Sequence, residues 1–138
     1  MEKNLNTLLP PDMLQDVADF HRRILNQMPA ESPSLVSPQF LIERFRFMQE
    51  ELDEFLTAGF NGDMVGAADA IADILYVALG TAHLMNLPMN QIWNVVHAAN
   101  MRKVRGKTKR NQEYDAVKPE GWVGPEPEIA KAIGEALG

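Results

Sequence analysis

Apolar side chains recur every three or four residues along most of this 138-residue chain, the spacing of one face of an α-helix. The pattern predicts a first helix in "PPDMLQDVADFHRRILNQM", with Pro11 in its first turn. A proline- and serine-rich link follows. A second helix is then expected. Ser37 caps its beginning, Pro38 is in its first turn, and it ends near Thr57.

The same periodicity continues beyond the turn "AGFNGD". It predicts a third helix from about Asp63 to His83, a fourth helix in "PMNQIWNVVHAANMRKV" that ends near Gly106, and a short final helix in "EPEIAKAIGEAL". Strand signals are weak. We therefore expect one all-α domain, a bundle of four to five helices, with its core at about 11–106 and a loop and short helix at 107–138.

Composition excludes several classes of protein. With 19 acidic and 13 basic residues the formal charge is −6, which argues against an obligate nucleic-acid binder. The absence of cysteine excludes disulfides, thiolate zinc sites and a cysteine nucleophile, and suits a reducing cytoplasm. The first residues, "MEKNLNTLLPPD", do not resemble a signal peptide. We expect a cytoplasmic protein with no stable nucleic-acid partner.

The third predicted helix is apolar on most of its circumference. Its length approaches that of a membrane span, but Asp69, Asp73 and His83 interrupt it, and each aspartate would cost roughly 2.5–3.5 kcal/mol in a bilayer. We expect no membrane association. A four-helix monomer would leave part of this apolar surface in water, so the sequence predicts a homo-oligomer.

Two carboxylates share one narrow face of that helix, because Asp69 and Asp73 are one turn apart. Buried carboxylates neutralise, pair or coordinate a cation, and oxygen ligands favour Mg²⁺, Mn²⁺ or Ca²⁺. We expect a divalent metal site. The alternative is that Asp69 caps the helix or pairs with an arginine such as Arg44 or Arg46.

A second acidic cluster lies on the second predicted helix, where "QEELDEF" places Glu50, Glu51 and Glu54 on one arc. Like charges at these spacings weaken a helix by a few tenths of a kcal/mol per pair, so the cluster is locally unfavourable. If the two helices pack antiparallel, these glutamates face the aspartates across one cleft. Alone, the cluster would be read as a solvated helix face.

A basic run lies at the end of the fourth predicted helix and just past it, and it suits phosphate binding. It holds six of the 13 basic residues within nine positions: Arg102, Lys103, Arg105, Lys107, Lys109 and Arg110. The alternatives are cations that complement a helix C-terminus, which explains only the first two, and a short RNA-binding arm.

Four segments in order carry a resemblance to a known family: "EELDE" at 50–54, "DAIADILYVALGTA" at 69–82, "VHAANMRKV" at 96–104 and "KPEGW" at 118–122. Over roughly residues 40–122 the chain resembles the all-α nucleoside triphosphate pyrophosphohydrolase superfamily. Within it, the chain is similar to MazG-like and phosphoribosyl-ATP pyrophosphohydrolase-like proteins, some of which act on dUTP. The resemblance implies a homodimer or homotetramer that cleaves an NTP or dNTP between the α and β phosphates.

The resemblance also implies the metal ligands. The family pattern is Glu-x-x-Glu on one helix and Glu-x-x-Asp on the next, which together bind Mg²⁺. Glu51 and Glu54 match the first half and Asp73 matches the last position, whereas Ala70 stands where the other glutamate should be. We expect Asp69, one residue earlier on the same face, to substitute for it.

Further roles are implied for residues around the substrate. Asn100 and Lys103 match the family's Asn-x-x-Lys, which is expected to contact sugar or phosphate, and Lys118 and Trp122 lie in a segment expected to close over the nucleotide. We expect Glu50 to orient the attacking water, and Lys103 with Lys107 to offset charge on the leaving pyrophosphate. Four aromatic residues could stack on a base, namely Tyr76, Trp93, Tyr114 and Trp122.

Two other functions stay open. A non-catalytic helical scaffold, or a nucleotide-binding protein with a degenerate metal site, would keep the same apolar stripes, and Ala70 favours this alternative. A nucleic-acid-binding module would bind RNA or DNA in a salt-sensitive way without turnover.

Overall fold

A computed structural model describes residues 12–106 and 115–138. Predictions made for Pro11, Lys107, Lys109, Arg110 and Tyr114 lie outside these residues. The chain forms two compact units, Met1–Asn86 and Leu87–Gly138, which are described separately.

The first unit contains three helices: α1 (Met13–Arg23), α2 (Pro38–Phe60) and α3 (Met64–Leu84). The helices α2 and α3 share the largest interface, and α1 packs on α3. The second unit contains α4 (Met89–Met101), a hairpin of β1 (Val104–Gly106) and β2 (Asp115–Val117), and α5 (Glu126–Leu137). The described residues are therefore mostly helical, which confirms the all-α expectation apart from the small hairpin.

Side-chain caps fix the beginnings of the first three helices. The Asp12 carboxylate accepts from the backbone N–H of Gln15, the Ser37 hydroxyl from that of Phe40, and the Asp63 carboxylate from that of Gly66. These bonds satisfy N–H groups that have no partner inside the helix. Ser37 and Pro38 were predicted in these roles and the prediction is confirmed.

The first helix ends earlier than predicted, at Arg23 instead of Met28. Asn26 adopts a left-handed backbone conformation with φ 51°, and the Gln27 N–H donates to the His21 carbonyl at 2.8 Å. Asparagine tolerates this conformation, which terminates a helix even where apolar spacing continues. The second helix runs three residues past Thr57, because the left-handed turn is at Gly62 (φ 67°).

The prediction that the fourth helix reaches Gly106 is wrong. It ends at Met101, and Val104, Arg105 and Gly106 pair with 115–117 in an antiparallel ladder. Val104, which the sequence placed within the predicted fourth helix, lies opposite Val117 and belongs to a cross-strand pair. The predicted final helix is confirmed over Glu126–Leu137.

The helices α2 and α3 pack antiparallel, as predicted. Near one end of the pair the Arg44 side chain donates to Thr81 Oγ1 and to the Val77 carbonyl, both at 2.9 Å. At the other end a Cβ on Gly66 would lie 3.1 Å from the Cβ of Ala58. The midpoint between these contacts is where the acidic residues of the two helices meet.

Much of the apolar surface of the first unit is exposed. The exposed apolar side chains of α2 include Leu41, Ile42, Phe45, Leu52 and Leu56, and those of α3 include Ile71 and Leu75. By length and composition alone α3 could also cross a membrane. It carries Asp69 and Asp73, however, and packs against two other helices of its own unit.

Candidate active site

The acidic site is built around Glu51, which lies near the middle of α2. Glu54 is one turn further along the same helix, and Asp69 and Asp73 are one turn apart on α3. Glu51 and Asp73 are half-buried, whereas Glu54 and Asp69 are exposed. The antiparallel packing of the two helices therefore gives one protected pair of carboxylates with a second, accessible pair beside it.

The electrostatics of Glu51 show that these four carboxylates influence one another. Desolvation raises the pKa of Glu51 to about 7, and hydrogen bonding to Glu54 and the negative charges of Glu54, Asp73 and Asp69 add to this effect. The ionised form of Glu51 is therefore disfavoured both by its desolvation and by the negative charges beside it. Either a proton or a cation at this position would relieve the repulsion.

One carboxylate oxygen of the site is buried without a hydrogen-bond partner. Glu51 Oε2 is shut off from solvent and has no hydrogen-bond partner. Leaving such an oxygen unpaired is costly, and a divalent cation satisfies it as well as a donor would. All the surrounding groups are carboxylates, the hard oxygen ligands that Mg²⁺ and Mn²⁺ accept.

The carboxylates are not yet arranged as a coordination sphere. Within the described part of the chain, no three acidic or imidazole groups stand close enough together to hold one ion. Binding would therefore require side-chain rotation among these four residues. The donor chemistry, the unpaired oxygen and the repulsion fit a divalent cation, subject to this rearrangement.

The structure also bears on the alternatives for these residues. Arg44 does not pair with Asp69, since its described bonds go to Thr81 and Val77. Ala70, at the position of the family's glutamate, is 1% exposed, whereas the charge of Asp69 reaches Glu51. Glu50 is exposed and is not among the charges that raise the pKa of Glu51.

A second group of predicted residues lies in the second unit and involves Trp122. The ammonium groups of Lys103 and Lys118 lie 5.3 and 5.2 Å from the centre of its ring. The indole N–H donates to the Ala99 carbonyl at 2.8 Å. Asn100 is exposed at the end of α4, and its carbonyl accepts from the Lys103 N–H at 3.0 Å. The anchoring role of Ala99 has no sequence signal, because only a backbone carbonyl is involved.

The histidines take no part in the acidic site. His21 is buried, and its Nδ1 is 2.8 Å from Gln27 Oε1. His83 is half-buried, with its ring 5.9 Å from that of His21.

Comparison with known proteins gives one family. The sequence model of the phosphoribosyl-ATP pyrophosphohydrolase family (PRA-PH) matches residues 17–100, which is more than half of the 138 residues. The matched range includes all four carboxylates of the site and ends at Asn100, before Lys103, Lys118 and Trp122. No curated protein matched the chain.

The matching family consists of hydrolases that act on a pyrophosphate bond of a nucleotide. The expected superfamily is therefore confirmed by a match that covers both acidic helices. This chain belongs to the phosphoribosyl-ATP pyrophosphohydrolase family, within the MazG-like all-α nucleoside triphosphate pyrophosphohydrolase superfamily.

Proposed function

We propose that this protein is a Mg²⁺-dependent nucleoside triphosphate pyrophosphohydrolase. It adds water across the bond between the α phosphorus and the oxygen that bridges to the β phosphorus, and it releases the nucleoside monophosphate and pyrophosphate. The observation that carries the proposal is Glu51, whose carboxylate is repelled by three others and has one sealed, unpaired oxygen. The family to which the chain belongs supports a phosphoanhydride bond as the target.

The proposed ligands of Mg²⁺ are Glu51, Glu54, Asp69 and Asp73, and Mn²⁺ can take its place. When bound, the ion neutralises charge on the triphosphate oxygens and acts as a Lewis acid. Glu50, exposed beside this group, orients the attacking water and accepts its proton.

The substrate-binding part of the proposal uses the residues at the end of α4 and beyond the hairpin. Asn100 contacts the sugar or a phosphate, and Lys103, Lys107 and Lys118 neutralise the phosphates. Two of these lysines, Lys103 and Lys118, lie over the ring of Trp122. The substrate is an NTP or a dNTP, in a house-cleaning or dUTP-hydrolysing role, and the active form is a cytoplasmic homodimer or homotetramer.

A second candidate is a nucleotide-binding or scaffold protein with a degenerate metal site. It is favoured by Ala70, which leaves the family's four-carboxylate pattern one member short unless Asp69 replaces it. This candidate binds cations at the same acidic face but releases no pyrophosphate.

A nucleotide panel separates the two. Common and modified NTPs and dNTPs, dUTP and phosphoribosyl-ATP are incubated with the full chain and Mg²⁺, and products are separated by anion-exchange chromatography. The proposal predicts equal amounts of monophosphate and pyrophosphate from at least one compound, and none when Mg²⁺ is chelated. Absence of pyrophosphate from every compound would favour the scaffold.

A further inference from the structure

Trp122 holds two positive charges beside one ring. Lys103 follows α4 and Lys118 follows β2, yet their ammonium groups lie 5.3 and 5.2 Å from the centre of the same indole. The ring itself is fixed, because it is half-buried and its N–H donates to the Ala99 carbonyl at 2.8 Å. The two ammonium groups can therefore be no further apart than the sum of their distances to the ring.

The two ammonium groups concentrate positive charge around one ring. They repel each other, and the attraction of each for the ring face holds them there. Within residues 12–106 and 115–138 the structure shows no ion pair between a carboxylate and either lysine. The pair suits a ligand that carries several negative charges close together.

The arrangement argues against the use of Trp122 as a platform for a base. Both lysines lie over its ring, so a base that stacked on a face they occupy would have to displace at least one of them. Displacement would also remove a cation from the neighbourhood of the phosphates. The indole N–H is already bonded to Ala99 and offers no contact to a base edge.

We propose that Trp122 is a positioning residue that holds Lys103 and Lys118 around one ring as a binding site for the pyrophosphate part of the substrate. The link to a substrate rests on the proposed function. The site itself predicts that inorganic pyrophosphate binds to the full chain without a nucleoside.

Binding of inorganic pyrophosphate, measured by calorimetry in the absence of divalent cations, tests this role. Trp122→Leu removes the ring and should weaken binding by about tenfold, the combined effect of two cation–π contacts. Trp122→Phe keeps a ring face and should stay within about threefold of the unchanged chain. Circular dichroism of each variant shows whether the fold is retained.

A mutant cycle separates positioning from other roles. In the Lys103→Met, Lys118→Met double variant, a further Trp122→Leu change should cost no additional pyrophosphate affinity, because the ring acts only through the lysines. If the loss from Trp122→Leu is the same with and without the lysines, the ring acts on the ligand or the fold directly and the inference is wrong. The inference is equally wrong if Trp122→Leu binds pyrophosphate as tightly as the unchanged chain.

The two proposals can fail separately. If no nucleotide in the panel is hydrolysed but the mutant cycle shows coupling between Trp122 and the two lysines, the anion site is supported and the hydrolase assignment is wrong. If a nucleotide is hydrolysed but the cycle shows no coupling, the hydrolase stands and the role of Trp122 falls. Weaker binding of a nucleoside monophosphate to Trp122→Leu, with pyrophosphate binding unchanged, would identify Trp122 as a base platform instead.

Discussion

Glu51 is the residue on which the proposed chemistry depends most. Its Oε2 has no hydrogen-bond partner and is sealed from solvent, and the surrounding acids together with burial raise its pKa to about 7. Its sequence neighbours Glu50 and Asp53 are exposed, and Asp53 accepts a bond from Gln49 Nε2 at 3.1 Å. Asp53 therefore offers a matched control on the same helix.

The first prediction concerns the Glu51→Gln variant. Because a carboxylate that holds the ion is lost, hydrolysis should fall by about 100-fold or more. The unfolding temperature of the metal-free protein should nevertheless rise at pH 8, because a raised pKa means that the ionised form destabilises the fold above the unfolded pKa of 4.5. Both quantities are measured on one preparation, by product chromatography and thermal unfolding.

Asp53→Asn removes the same charge two residues away and should change neither quantity appreciably. Loss of activity in both variants would point to the overall charge of α2 instead of a specific ligand. Lower thermal stability of Glu51→Gln would contradict the repulsion inferred at this site.

The second prediction concerns the pH dependence of stability, and it arises from His21 and His83. Burial, and for His21 also the charge of Arg44, lowers the pKa of His21, while burial and the nearby His21 lower the pKa of His83. The unfolded chain takes up protons at about pH 6.5 whereas the folded chain resists them. The contribution of these two histidines to stability should therefore be constant well above pH 6.5 and decline as the pH falls below it, whereas protonation of Glu51 raises stability over the same range.

Denaturant titrations at pH 8.0, 6.5 and 5.5 measure this decline. Because Glu51 is present in both proteins, its effect cancels in a comparison, and the His21→Asn, His83→Gln double variant should gain stability relative to the unchanged chain as the pH falls from 6.5 to 5.5. His97→Gln, at an exposed position, should keep the original dependence. A decline of equal size in the double variant would assign it to other groups.

At the scale of elements, the helices were predictable where a local signal marks them. Caps at Ser37 and Asp63 and the apolar spacing of α2 and α3 give both elements from sequence alone. Helix ends were less predictable. Asn26 ends α1 through its backbone conformation, and the hairpin at Val104 depends on pairing with residues 115–117. Neither effect produces a periodic pattern of apolar residues in the sequence.

The acidic site, too, could be predicted from the sequence only in part. The clusters on α2 and α3 could be found from spacing, and their meeting follows from the short turn between the helices. The burial of Glu51 Oε2 could not be predicted, because it depends on the packing of the two helices. The gathering of Lys103 and Lys118 at Trp122 depends on contacts between residues distant in sequence.

The third prediction concerns Gly80 of α3, which lies against one side chain from α1 and one from α2. A Cβ at this position would overlap His21 Nε2 and lie 3.0 Å from Arg44 Nη2, and both side chains are buried. Gly80→Ala should lower the free energy of unfolding by about 1–3 kcal/mol, the usual cost of overpacking. Urea titration followed by circular dichroism measures the change.

Gly59→Ala is the control, because a Cβ there meets nothing within 4 Å and Gly59 is also helical. It should leave stability unchanged or raise it by up to about 1 kcal/mol. Equal effects of the two substitutions would show that backbone propensity, and not the contact with His21, determines the result.

At the scale of the whole molecule, exposed apolar surface on α2 supports the proposed self-association. Leu41, Ile42 and Phe45 are 48%, 51% and 62% exposed, and with Met48 they border a groove of about 410 Å³ beside Arg44. Soluble monomers rarely leave so continuous an apolar surface in water. A second copy of the chain would cover it without further partners.

The fourth prediction follows from that surface. Sedimentation equilibrium should give two or four times the chain mass of 15.4 kDa. Phe45→Glu places a charge in the apolar face and should shift the distribution toward monomer, whereas Phe45→Leu should not. A monomeric unchanged chain at micromolar concentration would refute the proposed assembly.

Metal binding by the acidic site tests the proposed function most directly. It can be measured with Mn²⁺ by electron paramagnetic resonance. The unchanged chain and Asp53→Asn should bind Mn²⁺ alike, and excess Mg²⁺ should displace it from both. Glu51→Gln, still folded by circular dichroism, should lose most of this binding. If Glu51→Gln binds Mn²⁺ as tightly as the unchanged chain does, this result would contradict the claim that the carboxylates of α2 and α3 form the metal site.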